Sequence, residues 1–263
     1  RLQARPRLSV PAAFAEGPSR PTLFLSDQHL SPARPQALAA FHAFCAGPAR
    51  DAAAVYMLGD LFDFWIGDDQ LREPFVAAVV RSMRGMADAG VPLFVAHGNR
   101  DFLLGARFAR ATGATLLPEY ATIDLAGVRT LFCHGDVLCT DDVEYQAYRA
   151  RMRDPQTQRR LLRLPYFVRR WIARYMQKKS ADSKAGKAEF IMDVAPAAVA
   201  AAFRSHAAQR MIHGHTHRPA RHVHDVDGTP RERLVLADWY DGGSYLEVSE
   251  EGARVMQLPP PPA

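Results

Sequence analysis

Five short motifs in this 263-residue chain carry side chains that bind divalent metals. They are Asp27-Gln28-His29, Gly59-Asp60-Leu61-Phe62-Asp63, Gly98-Asn99-Arg100-Asp101, His134-Gly135-Asp136 and Gly214-His215-Thr216-His217. Each alone is weak, because an aspartate in such a place is more often a turn residue or a helix cap. Together they supply carboxylate, amide and imidazole donors, a mixture that suits manganese, iron or zinc, with the hard oxygens favouring manganese over copper. Two divalent ions about 3.5–4 Å apart need a shared carboxylate and a shared water. Glycines beside Asp60, Asn99, His134 and His215 let the backbone turn sharply and approach such ions. The chemistry this set can do is metal-assisted hydrolysis.

Donors so far apart in sequence meet only if regular elements carry them. Apolar runs predict strands over 22–26, 53–58 and 92–96, which end in Asp27, Gly59-Asp60 and Gly98-Asn99. Helices are expected over 35–45, 73–89 and from Asp101 to about 111. Further strands are expected over 121–125, 129–133, 211–213, 233–237, 244–248 and 254–258. Strand, turn and helix in alternation make an α/β chain, whose sites form at the carboxyl ends of strands. The stretch 141–194 lacks strand alternation and reads as helical, an insertion capping the mouth of the sheet. The core is then 21–140 with 195–258, preceded by a disordered leader over 1–20 and followed by a tail over 259–263.

Hydrophobic residues make up 48% and charged residues 23%, an ordinary globular balance. No apolar run approaches the roughly 20 residues that span a bilayer, and the leader lacks the apolar stretch of a secretory signal. Three cysteines, Cys45, Cys133 and Cys139, are too few and too odd for a disulfide framework and point to a reducing cytoplasm. Charge is uneven. Between Arg149 and Lys187 stand thirteen Lys and Arg against two acids, a net +11 in a chain whose total is +5. An anionic partner is expected beside that segment. Within it, Leu161, Leu164, Val168, Trp171, Ile172, Tyr175 and Met176 recur at helical spacing among Arg163, Arg169, Arg170 and Arg174. That pattern suits an acyl-chain pocket with arginines at lipid headgroups, or a stripe that docks the cap on the core. Nucleic acid is not expected, since no recognised binding motif accompanies the basic patch.

The five motifs, in this order, resemble the calcineurin-like metallophosphoesterase superfamily over 27–217. The resemblance implies an α/β/β/α sandwich with an inserted helical cap. It implies one metal held by Asp27, His29, Asp60 and His217, and a second by Asp60, Asn99, His134 and His215, with Asp60 shared. Finer features are the run 59–69, the Gly-Asn-Arg-Asp-Phe-Leu of 98–103, the stretch 134–142, the residues Ser180, Lys184 and Lys187, and the stretch 213–219. These are similar to the UDP-2,3-diacylglucosamine pyrophosphohydrolase family of Gram-negative bacteria. That likeness implies hydrolysis at the α-phosphorus of a nucleotide-linked glycolipid, two metal ions, most often Mn2+, and a peripheral place on the cytoplasmic face of the inner membrane. It implies catalytic roles for Asn99, Arg100 and His215. Substrate contacts would come from these three and from Asp142, Ser180, Lys184 and Lys187. The last three share one helical face by spacing.

Arg100 departs from the histidine most superfamily members carry. A phosphomonoester leaving group, with a second pKa of about 6, can leave without a proton, so a permanent cation serves better than an acid. The plainer reading of Arg100 is an ion pair with Asp63 or Asp101. A nuclease or general nucleotide phosphodiesterase on the same core is the competing activity, and a metal-free scaffold is the third reading. His97, His213, His222 and His224 are read as ordinary hydrogen-bonded histidines outside the ligand set.

Overall fold

A computed structural model of the protein describes residues 20–184 and 193–259, with the backbone alone over 177–184. The expected leader, Arg20 aside, and 260–263 of the tail lie outside the described residues. The chain first alternates β1 (Thr22–Leu25), α1 (Pro35–Ala46), β2 (Ala54–Met57), α2 (Pro74–Asp88), β3 (Leu93–Val95), α3 (Ala106–Thr112) and β4 (Thr115–Leu116). Strands β1 to β4 run parallel in one sheet. A second sheet begins with β5 (Ala121–Leu125) and β6 (Val128–Phe132). Three helices intervene, α4 (Val143–Arg153), α5 (Pro155–Arg163) and α6 (Tyr166–Lys184), followed by α7 (Pro196–His206). Then β7 (Arg210–His213) and the hairpin β8 (Ala220–Val226) and β9 (Thr229–Val235) complete the second sheet, in the order β5-β6-β7-β9-β8. A last hairpin, β10 (Ser244–Ser249) and β11 (Gly252–Gln257), returns to the first sheet antiparallel to β1.

Period-two alternation sends Leu23 and Leu25 to one face of β1 and Phe24 to the other. Leu23, Leu25, Val55 and Met57 meet Phe41, Phe44, Val79, Met83 and Phe108 from α1, α2 and α3. Phe24, Tyr56 and Leu246 face Phe132, Ile212 and Leu234 across the gap between the sheets. On the far side, Val199 and Phe203 of α7 cover Leu131 and Met211. The layers are therefore α/β/β/α. Helix starts follow local chemistry: proline opens α1, α2, α5 and α7, and Asp142 and Asp154 cap α4 and α5.

The helix expected from Asp101 begins only at Ala106. The Asp101 carboxylate is engaged elsewhere, accepting from Gly98 N at 2.7 Å and Leu61 N at 2.8 Å. The helix start is instead gripped by Asp68, which accepts from the backbone N–H groups of Gly105, Arg107 and Phe108. Reading the sequence also missed β4, β8 and α7, and took only the end of β9.

Helices α4 to α6 anchor at two places on the core. From α4, Arg149 Nε and Arg153 Nη2 reach Asp136 Oδ2 at 2.8 and 3.2 Å, and Arg153 also donates to the carbonyls of His97 and Gly98. From α6, Arg169 is buried and binds the Ile66 carbonyl and Asp69, while Tyr166 meets Glu73. This corrects one expectation: Arg169 is a structural clamp with no free charge for a headgroup. The apolar stripe also divides. Val168, Ile172 and Met176 are partly covered, while Trp171 and Tyr175 are 68% and 58% exposed, joined one turn earlier by Phe167, outside the expected stripe, at 73%.

Candidate metal centre

The ligand motifs leave the strands in an unusual backbone. Asp27, His29, Asp60, His215 and His217 all have left-handed φ angles, at 58°, 48°, 53°, 69° and 55°. Such angles are uncommon outside glycine and cost of order 1–3 kcal/mol each. They persist because neighbouring groups over-determine them. Asp27 N donates to Gly59 O at 3.1 Å, His29 N to Asp60 O at 2.9 Å, and His215 N to Asp27 Oδ2 at 2.8 Å. Two glycines are required by closeness: a Cβ on Gly98 would collide with the Asp60 carboxylate, and one on Gly214 with Asp27.

These loops bring all seven expected ligands together. One group joins Asp27, His29 and His217, and another joins Asp27, Asp60 and His134, the donor atoms of each lying within 4.8 Å of one another. Asp60 faces both ways: Oδ2 is 4.0 Å from His29 Nδ1, and Oδ1 is 3.8 Å from His134 Nε2. The Asn99 oxygen closes the second group, 3.0 Å from His134 Nε2 and 2.9 Å from His215 Nδ1. Outer partners aim the rings. His134 Nδ1 donates to the Leu58 carbonyl at 2.9 Å, which turns Nε2 inward. His217 Nδ1 lies 3.2 Å from Asp238 and its Nε2 3.2 Å from Asp27. A carboxylate behind a histidine in this way is the usual support of a metal-ligating imidazole.

The electrostatics favour cations. Burial lifts the Asp60 carboxyl to about 7, with the charges of Asp101 and Asp27 adding to it against His134 and Arg100. Burial also pushes Asp27 up, but the hydrogen bond from His217 and the surrounding imidazoles hold it well below the usual carboxylate range. The His29 ring is driven down to about 3 by burial, with Asp27 opposing and the charges of Arg100, His217 and Arg34 reinforcing. Burial opposes the charged His217, yet its bonds to Asp238 and Asp27 raise it to about 9. His29 Nδ1 is buried with no hydrogen-bond partner. Orphaned imidazole nitrogen, crowded buried carboxylates and an amide oxygen aimed at two rings fit a pair of divalent cations.

Arg100 borders the second group. Its backbone N–H donates to Asp60 Oδ1 at 2.8 Å, Nε is 3.7 Å from Asp60 Oδ2, and Nη1 donates to Asp63 Oδ1 at 3.1 Å. The ion pair is thus with Asp63, while Asp101 serves the loop backbone. Asp142 Oδ1 accepts from Tyr145 N at 3.0 Å at the start of α4, and the Tyr145 ring stacks on His215 at 5.9 Å. Ser180 and Lys184 lie on the backbone of α6, but their side chains, and all of Lys187, lie outside the described residues. His213 is fully buried between the Gly214 carbonyl and Arg233, and His97 bonds the Leu104 carbonyl. His224 accepts from Arg233.

Sequence reasoning missed Asp238, although a polar residue at a strand's carboxyl end is the signal that found Asp27. It also missed the roles of Asp101 and Asp136 as buried organisers of the loops. Tyr240 and Arg34 went unnoticed as well. Tyr240 stacks on His29 at 5.3 Å and meets His217 edge-on at 5.4 Å, with Arg34 lying 4.0 Å over its ring.

Comparisons with known proteins give the family. A calcineurin-like phosphoesterase family model matches residues 20–219. The chain is 46% identical over 238 residues to the UDP-2,3-diacylglucosamine hydrolase of Escherichia fergusonii, covering 90% of this chain and 99% of that protein. It is 43% identical to the hydrolase of the same name from Vibrio parahaemolyticus, with 90% and 98% covered. A dimetal phosphatase from Danio rerio shares the fold at 13% identity, with a TM-score of 0.50 over 92% of this chain and 100% of that one. The chain belongs to the calcineurin-like phosphoesterase family, as a relative of the UDP-2,3-diacylglucosamine hydrolases.

Proposed function

We propose that the protein is a dinuclear-metal pyrophosphohydrolase that cleaves UDP-2,3-diacylglucosamine to UMP and 2,3-diacylglucosamine 1-phosphate, a step of lipid A biosynthesis. The observation that carries this is the convergence of Asp27, His29, His217, Asp60 and His134 in two adjoining groups, with Asn99 and His215 beside the second and Asp60 facing His29 and His134 at once, in a chain nearly half identical to hydrolases of that name. Two divalent ions held there, Mn2+ by the hardness of the donor set, would supply an acidified water and a positive clamp on the phosphoryl oxygens. Asn99 and His215, in contact with each other at 2.9 Å, would orient the attacked phosphoryl group. Water attacks the α-phosphorus, the bond to the bridging oxygen breaks, and the lipid phosphate leaves with the electron pair. Arg100 spreads the charge of the phosphate on its side of the centre, and Asp63 holds it in place.

We further propose that α5 and α6 meet the membrane surface. Exposed Phe167, Trp171 and Tyr175, with Leu162 and the exposed Arg163, Arg170 and Arg174, make the amphipathic basic face that interfacial helices present. Among the described residues no helix is long and apolar enough to cross a membrane.

The activity is tested with Mn2+-loaded protein and UDP-2,3-diacylglucosamine in 18O water. UMP carrying the label is expected; label in the lipid phosphate would place attack on the other phosphorus. Asp60→Ala and His134→Ala should abolish turnover. Arg100→Ala should lower it about 100-fold or more with metal content unchanged. Cleavage of single-stranded DNA without UMP release would turn the assignment to a nuclease.

A further inference from the structure

The centre has two sides, and only one has an assigned cation. Arg100 stands on the Asn99 side, tied to Asp63 and Asp60. On the other side lies Arg34, with the Tyr240 ring between it and His29 and close enough that its charge is felt at that histidine. Its guanidinium carbon is 4.0 Å over the Tyr240 ring, and that ring is itself stacked on His29. Arg34 Nη1 is buried without a hydrogen-bond partner, and among the described residues no carboxylate pairs with the group. Buried donors are nearly always satisfied, and an orphan calls for a reason.

A cation–π contact holds a guanidinium in place while leaving its N–H edges free. A planar, weakly hydrated cation with free edges beside a metal centre is the preferred receptor for a phosphate. The pyrophosphate has two phosphates, and a single arginine at one end leaves the charge of the other uncompensated. We propose that Arg34, shelved on Tyr240, is a second phosphate-binding residue that grips the phosphate Arg100 does not. This rests on the pyrophosphohydrolase reading above.

The test compares two substrates on the Mn2+-loaded protein: UDP-2,3-diacylglucosamine, with two phosphates, and bis(p-nitrophenyl) phosphate, with one. R34M should raise KM for the glycolipid about tenfold or more, the worth of a charge-assisted hydrogen bond. Its kcat/KM on the single-phosphate probe should stay within about twofold. R34K should recover most of the loss. Equal losses on both substrates would mean that Arg34 only supports the fold, and an unchanged KM for the glycolipid would remove the role altogether. If the wild type left the glycolipid intact, the activity reading would fall, and Arg34 would be judged by inorganic pyrophosphate inhibition of the probe reaction. R34M should weaken that inhibition about tenfold, and equal inhibition of both proteins would overturn the proposal.

Discussion

Asp238 holds His217 as much by charge as by geometry, at 3.2 Å from Nδ1. Removing it in Asp238→Ala should weaken metal affinity about 10–100-fold, measured by titration with Mn2+. In the wild type the same ring competes with protons. With His217 near 9 and Asp60 near 7 before metal arrives, both carry protons at pH 6. Metal uptake must displace them, so affinity should rise from pH 6 to pH 9 and flatten above. Calorimetry in two buffers of different ionisation heat would count the protons released; no release at pH 6 would contradict the arrangement. Gln28 is a different matter. It is fully buried, and neither its amide oxygen nor its nitrogen has a partner. Gln28→Met removes two orphaned polar atoms at similar volume and should stabilise the protein by about 1 kcal/mol, or about 2–4 °C in the melting curve. A lower melting temperature would show that a hidden partner satisfies the amide.

Among the elements, Asp136 decides how α4 sits on the core. Two arginines and Tyr145 converge on one of its oxygens. Burial alone would raise its carboxyl, but Arg153, His134 and Arg149 hold it well below the usual range. A depressed carboxylate stabilises the fold fully above its unfolded value of about 3.9 and loses that contribution as pH falls through the lower folded value. Asp136→Asn should cost about 3 kcal/mol at neutral pH, because Arg153 loses its carboxylate partner and Arg149 keeps only Glu119, and should flatten the acid limb of the stability curve. Urea unfolding at pH 7 and pH 3 would measure both.

The elements also divide into legible and illegible ones. Strands β1, β2, β3 and β6 are short apolar runs ending in ligand motifs, so their chemistry and their period agree. Strand β8 is an edge strand whose Arg221, His222 and His224 face outward or only half inward, so it offers no apolar run. Its signal was the turn, since Asp227-Gly228, both with positive φ, is the pair that closes a two-residue hairpin. In α7, Val199, Ala202 and Phe203 follow helical spacing behind Pro196, a pattern lost among the surrounding alanines. Asp68 could not be seen as the cap of α3 because the two are joined only in space.

For the whole molecule, charge and apolar surface coincide. The segment whose net +11 exceeds the +5 of the whole chain also carries the exposed Phe167, Trp171 and Tyr175. Replacing all three by serine should abolish sedimentation with vesicles of anionic phospholipid while leaving turnover of bis(p-nitrophenyl) phosphate unchanged. Retained sedimentation would place the membrane contact elsewhere.

Four of the five left-handed ligands come in two spaced pairs, Asp27 with His29 and His215 with His217, each straddling a residue that takes no part in either metal group. Surface loops are ordinarily where related chains gain or lose length. Here one added or deleted residue in either loop would rotate the straddled side chain into the donor's place and turn a donor away. Library screens that scan the chain with single-codon insertions should therefore find these two connections as intolerant as the innermost strands.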